Sequence, residues 1–281
     1  CSSDLKFLAG EVDLLGNVEP ETAKELGAMG YKALPTPAQN LLYVTLDAAG
    51  RSKNKIMTDE RVRKAFIMAI PRDQIVKTFV PGGETAEQPP GICFKRTVAC
   101  APGDKKVYEY NPAEAKKLLA EAGYANGVDL TLDVFQPSRQ IAEALAGELR
   151  KVGIRVTVEA LPITVYRKKQ GDGKLNSWSV FFPLGGHPDA STSLTVWFEG
   201  ERASYFNNDP IVIGAMEEGL KETDEVKRRA IYARAFDRIN EMSYIMALSS
   251  LPNVYAHRSD VKIMPNQLSA TEQYIGDYAF K

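Results

Sequence analysis

Residues 130–159 constrain the fold more than any other stretch. Leu130, Leu132 and Val134 alternate with Thr131 and Asp133, the period of a strand with one apolar face. Ile141, Leu145, Leu149 and Val152 then recur at helical spacing up to Gly153. A second alternation follows, Ile154, Val156 and Val158 against Arg155, Thr157 and Glu159. Two strands joined by a crossover helix run parallel, and the connection is right-handed in nearly all cases. The spacing predicts an α/β fold with a parallel or mixed sheet flanked by helices.

The flanking segments extend this pattern. Val62, Ala65, Phe66, Ala69 and Ile70 form one stripe of an amphipathic helix. Thr58 can cap it, and Asp59 and Glu60 suit the positive end of its dipole. Pro71 fits the first turn of another helix, Arg72 to Phe79, which Pro81-Gly82-Gly83 stops. Asn111-Pro112-Ala113-Glu114 starts a helix that Gly123 ends. Nearer the amino terminus, a helix, a strand over 12–15 and a helix over 19–29 precede a strand over 41–47. Beyond the crossover unit the sequence predicts a helix over 164–170, a strand over 177–182, and then a glycine- and aromatic-rich loop. Helices over 211–222 and 224–242 follow, and 245–249 and 253–257 can pair as strands.

Bulk properties narrow the function. The 35 Lys and Arg balance 36 Asp and Glu across 281 residues, so there is no basic excess to displace counterions from nucleic acid. No run approaches the ~18 apolar residues of a membrane span. No signal peptide is present, so an exported chain is expected here in mature or trimmed form. Cys93 and Cys100 bracket a short loop whose ends can meet, and a disulfide there implies an oxidising compartment. The alternative is two unpaired loop cysteines. Zinc is disfavoured by the lack of a C-x-x-C pair and of a nearby His. No G-x-S-x-G, H-E-x-x-H, phosphate loop or dinucleotide fingerprint occurs, and His187 and His257 leave little for a triad. No cofactor or metal is expected.

Three stretches carry a family resemblance. Asp59-x-Arg61-Val62-Arg63-x-Ala65, with Ala69-Ile70-x-Arg72-x-x-Ile75-Val76 after it, resembles the signature opening the second lobe of family 5 solute-binding proteins. These are the extracytoplasmic receptors of peptide and nickel ABC importers. The family has Asp before that last Arg; this chain has Pro71, another helix-starting residue. Residues 110–132, YNPAEAKKLLAEAGYANGVDLTL, are close to the family's wording, and 8–21, LAGEVDLLGNVEPE, resemble a unit well inside its first lobe. The resemblance implies a periplasmic-binding-protein-like (class II) second lobe plus remnants of the first. Residues 1–47 would end the first lobe, 48–248 would form the second, and 249–281 would return towards the first. A long amino-terminal portion of the first lobe is expected outside this chain. Cys1-Ser2-Ser3 resembles the start of a mature lipoprotein, but the first-lobe wording so close behind it argues against that anchor.

The candidate site is 176–198, where both tryptophans, paired phenylalanines, His187 and Asp189 surround Gly185-Gly186. Aromatics beside a few polar groups line most small-ligand pockets, and glycines let a ligand approach the backbone. Trp178, Phe182 and Trp197 can equally be core. In peptide-binding relatives this place reads G-W-x-x-D, the acid holding the peptide amino terminus; here Trp178 is present and Phe181 replaces the acid. Either Asp189 substitutes for it or the ligand is not a free peptide. Gln136 and Arg139 sit between a parallel strand and a helix, where α/β sheets bind ligands; Arg139 suits an anion, or is a solvated helix-start residue. His187 as a metal or chelate ligand is the weaker reading of that residue. The resemblance implies a monomeric, non-catalytic receptor fragment, periplasmic or extracellular, that binds a peptide or similar small solute and works with an ABC permease. The alternatives are a small hydrolase-like enzyme using Asp189 with a nearby carboxylate, and a structural or signalling lobe that has lost its pocket.

Overall fold

A computed structural model describes residues 2–280 except 17, 19, 53, 81–82, 84–85, 95–96, 102–107, 177, 185–188 and 265–277; at 2–4, 20–21, 35–40, 178–184, 252–253 and 278–280 only the backbone is described. Its centre is the crossover unit. Strand β3 (Val128–Phe135), helix α6 (Arg139–Lys151) and strand β4 (Ile154–Leu161) follow one another, and β3 and β4 pair in parallel register from Val128↔Ile154 to Phe135↔Leu161. Gly127 and Gly153 make the turns that bring the strand starts together. Both have positive φ, and a Cβ on Gly127 would meet the Gly153 carbonyl oxygen at 2.4 Å, so a side chain there is excluded.

The sheet grows outwards from this unit. Strand β5 (Trp178–Leu184) adds in parallel on the other side of β3. Strand β2 (Lys32–Leu46) lies antiparallel to β5, and β6 (Ile245–His257) lies antiparallel to β2. With the short β1 (Leu14–Leu15) beside the far end of β6, the order is β1-β6-β2-β5-β3-β4. Strand β2 is much longer than the strand expected over 41–47. Likewise the two strands expected over 245–249 and 253–257 are one continuous strand, paired with β2 and not folded back on itself. The prolines at 35, 37 and 252 interrupt the sequence signal for these long strands.

Because helices cover both faces, the sheet carries two cores. Leu42, Val44 and Leu46 of β2 and Met246 and Leu248 of β6 face α3 (Glu60–Met68), α4 (Arg72–Phe79), α5 (Pro112–Glu121) and α6. Leu41 and Tyr43, one residue out of step, face α7 (Ile163–Gly171), α8 (Ser191–Phe198), α9 (Pro210–Lys221) and α10 (Glu225–Glu241). This is the period-2 alternation of a strand buried on both sides. It also takes in Asp133, which alternation alone would leave on a polar face but which is fully buried. A third, smaller cluster gathers Phe7, Leu15, Val18, Ala23, Leu26 and Ala256 from α1 (Ser2–Leu8), β1, the segment after it, α2 (Pro20–Ala28) and the far end of β6. A two-stranded ribbon, β7 (Val261–Ile263) with β8 (Tyr278–Phe280), stands apart from the main sheet.

The signature segment 59–76 now has a physical reading. Asp59, not Thr58, caps α3: its Oδ1 accepts from the Arg61 N–H at 2.8 Å, while the Thr58 hydroxyl donates back to the Lys55 carbonyl. The Arg63 guanidinium is buried, donating to the carbonyls of Met57 and Met242 and lying 5.6 Å over the Tyr244 ring. Arg72 donates to the carbonyls of Leu248 and Pro89. Both arginines therefore tie helices to the rest of the structure through main-chain oxygens.

Candidate ligand-binding site

Parallel pairing makes β3, β4 and β5 end at the same side of the sheet, so the segments leaving their carboxyl ends are neighbours. Open α/β sheets bind ligands outside such ends. From β3 the chain passes through a tight turn over Gln136–Ser138 into α6. Gln136 and Arg139 are both exposed there. Arg139 donates through Nε to Glu143 at 2.8 Å, one turn along its own helix. An exposed i, i+4 pair is weak and competes little with a bound anion. Ser138 is fully buried at the same helix start, with no partner for its hydroxyl among the described residues, a feature that sequence patterning did not single out.

From β5 the chain runs through Gly185, Gly186, His187 and Pro188, which lie outside the described residues, to Asp189. Trp178, Phe181 and Phe182 are placed by their backbone: Trp178 pairs with Leu46 and Leu132, and Phe181 with Tyr43. Phe182 lies next along that strand, within the span where β5 faces β2. Trp197 is core. It is buried, edge-on to Tyr43 at 5.7 Å and to Phe206 at 6.0 Å.

Asp189 is fully engaged. Its oxygens accept from both terminal nitrogens of Arg228, Nη1 to Oδ2 at 2.5 Å and Nη2 to Oδ1 at 2.7 Å, and Oδ1 also accepts from the Ser191 N–H at the start of α8. Arg228 in turn donates to the Gly219 carbonyl and lies 5.2 Å over the Tyr232 ring. Burial pushes the Asp189 carboxyl up, but the hydrogen bonds from Ser191 and Arg228 outweigh it and hold the group below the ordinary carboxylate range. Such a carboxylate is fully ionised at neutral pH and a poor proton donor.

The same loop is braced from outside. Cys93 and Cys100 are joined in a disulfide, their Cα atoms 5.9 Å apart. Within that closed segment Val98 bridges to Asp189 and accepts from the Ala190 N–H at 2.9 Å. Arg229, next to Arg228 on α10, donates to the Cys100 carbonyl. At the opposite end of β5, Asp133 accepts from the Asn176 N–H at 2.5 Å and from Lys169 Nζ at 2.8 Å. These partners satisfy a carboxyl group that is fully buried. Among the described residues, no group of three or more His, Cys, Asp or Glu side chains converges to hold a metal ion, and no helix is long and apolar enough to cross a membrane.

Known proteins resemble this chain along most of its length. The family profile described as "Bacterial extracellular solute-binding proteins, family 5 Middle" matches residues 2–205. A glutathione-binding protein, GsiB, of Pectobacterium atrosepticum is 27% identical over 82% of this chain and 46% of its own length. Di/tripeptide-binding protein 1 of Pseudomonas aeruginosa is 26% identical over 82% of this chain and 44% of its own. In the backbone, the crystal structure of NikA from Brucella suis in complex with Fe(III)-EDTA superposes with a TM-score of 0.83 at 21% identity, covering 100% of this chain and 60% of that one. A dipeptide-binding protein from Pseudoalteromonas in complex with Met-Leu gives a TM-score of 0.81 at 19% identity, covering 100% and 56%. The chain thus spans about half the length of the curated relatives it matches.

Proposed function

The chain belongs to the bacterial extracellular solute-binding proteins of family 5, and from that premise we propose that it supplies one wall of the ligand cleft in an ABC importer's receptor. The solute is held at the carboxyl ends of β3, β4 and β5 by Gln136, Arg139, Phe181, Phe182 and His187, and it leaves unchanged; Trp178, which opens β5, lies away from that end. Residues 48–248 form this wall as the second lobe, and the small cluster around Phe7, Leu26 and Ala256 belongs to the first. The opposite wall, closing by a hinge, and a permease that reads the closed form complete the device. The family's members are substrate-binding proteins found outside the cytoplasmic membrane, and this wall works there as a monomer.

The observation that carries the reading is the state of Asp189. Its charge is neutralised by Arg228, so it neither shuttles a proton nor offers a free carboxylate to a peptide ammonium. With Phe181 at the position where peptide-binding relatives carry the acid, the solute is gripped through apolar surface and, at Arg139, through an anionic group. The relatives' names span glutathione, di- and tripeptides and an iron chelate. Glutathione, with two carboxylates, fits this wall better than a dipeptide held by its amine.

Binding by one wall alone is weak, because the contacts and the closure of the other are missing. Calorimetry and mass spectrometry test the proposal together. With glutathione and Met-Leu, the isolated chain is expected to show no micromolar binding and to return both solutes chemically intact. Micromolar affinity for Met-Leu, or a cleaved product, overturns it.

A further inference from the structure

A second cavity lies away from this end of the sheet. It is a groove of about 360 Å3 between the end of α3, the start of α4 and the β6 edge, within the size range of small-molecule sites. Ile67, Ile70, Pro71 and Met246 make an apolar floor, and Tyr108 and Tyr110 stand at its side. Ile70 and Met246 belong to the core on one face of the sheet, whereas Ala190, beside Asp189, belongs to the core on the other.

Asp73, Gln88 and Glu109 also line the groove, and its one cation among the described residues is Arg72. Its Nε donates to the Leu248 carbonyl at 2.8 Å and one terminal nitrogen to the Pro89 carbonyl at 2.6 Å. Among the described residues no carboxylate reaches it. The neighbouring Asp73 is taken by Lys77 at 2.9 Å and by Gln88 at 3.1 Å. A partly buried cation without a countercharge carries a desolvation cost, and burial pushes the Arg72 guanidinium down to about 10. An anion placed beside it would regain that cost.

We propose that this groove is a second ligand site, for a small monoanion that joins a carboxylate to an aromatic or apolar body. The carboxylate meets the remaining guanidinium nitrogen, in the charge-assisted geometry arginine favours. The body lies over Ile67 and Met246 beside the tyrosine rings. Glu109, exposed at the rim, repels a second negative charge and limits the ligand to one. The site is independent of the cleft at the ends of β3 to β5.

The test is an amide chemical-shift titration with 3-phenylpropionate and with its neutral counterpart 3-phenylpropionamide. The acid should give saturable shifts at Ile67, Ile70, Tyr108, Tyr110 and Met246, and the amide should bind roughly tenfold or more weakly. Arg72→Gln should abolish that difference, and Tyr110→Ala, at an exposed position, should weaken both probes. Equal affinity for acid and amide overturns the proposal, as do shifts confined to the loop after β5 or no saturable shift at millimolar concentration. An unchanged ratio in folded Arg72→Gln does the same. Should that variant fail to fold, the wild-type ratio and Tyr110→Ala decide, and a Tyr110→Ala titration identical to wild type overturns the site.

Discussion

The Arg228 guanidinium grips the Asp189 carboxylate end-on, at 2.5 and 2.7 Å, across 39 residues of sequence. The pair joins α10 to the residue that follows the glycine-rich segment after β5, and Asp189 also accepts from the Ser191 N–H as α8 begins. One carboxylate thereby fixes a loop exit, a helix start and a helix–helix contact.

Asp189→Asn should therefore act on stability. Removing one partner of a half-buried, bidentate pair leaves Arg228 uncompensated, and a cost of roughly 1–3 kcal/mol is expected in urea unfolding. Asp189→Asn with Arg228→Met should recover part of that cost, since the double variant strands no charge. Additive losses would mean the pair is not coupled.

The same pair sets an acid limit. The folded Asp189 carboxyl lies below its ordinary value, so its contribution is fully present above the unfolded value of about 3.9 and is lost as pH falls through the folded one. In acid unfolding, wild type should lose stability relative to Asp189→Asn below about pH 4. Parallel curves down to pH 2 would contradict this.

At the alkaline end the sign reverses. Burial pushes the Tyr205 phenol up to about 12, against an opposing bond from the Leu175 N–H to its oxygen. Tyr43 and Tyr244 are raised too, chiefly by burial. The neutral phenols stabilise the fold fully up to about pH 10, and this is lost as pH rises towards the folded values. Phenolate absorbance should show a class of tyrosines that ionises only as the protein unfolds. A single transition near pH 10 while the protein stays folded would contradict it.

Arg63 is expected to matter more than any exposed ion pair. It donates to three carbonyls, of Met57, Met242 and Thr58, from a fully enclosed position. Arg63→Met leaves those oxygens unpaired and should cost roughly 3–5 kcal/mol. Exposed pairs such as Arg139–Glu143 contribute at most about 1 kcal/mol. A loss under about 1 kcal/mol would refute the structural reading of the signature.

Reducing the disulfide, or replacing Cys93 and Cys100 by serine, opens a short loop and should cost about 2–3 kcal/mol. Because Val98 bridges Asp189 from within that loop, hydrogen exchange should quicken at Ala190 as well. Faster exchange confined to 93–100 would mean that the brace carries nothing to the site.

What the sequence disclosed was local. The crossover unit was legible because alternation and helical spacing meet at Gly153, a glycine whose positive φ the turn requires. Long β2 and β6 were not, since Pro35, Pro37 and Pro252 mimic strand breaks and only pairing with a neighbour shows them continuous. Helix α8 was missed for another reason. Its sequence STSLTVWF is β-branched and aromatic, poor in helix propensity, and it is helical because Leu194, Trp197 and Phe198 pack into the core. The engagement of Asp189 was invisible, because Arg228 comes from a helix whose own pattern gives no hint of a partner.

The most direct measurement of the central claim is a chemical-shift map of the chain titrated with millimolar glutathione, followed by recovery of the peptide. Weak, saturable shifts are expected at Phe135–Arg139 and across 181–191, with the glutathione returned intact. Shifts that avoid this end of the sheet, or glutathione returned in a different covalent form, would contradict it.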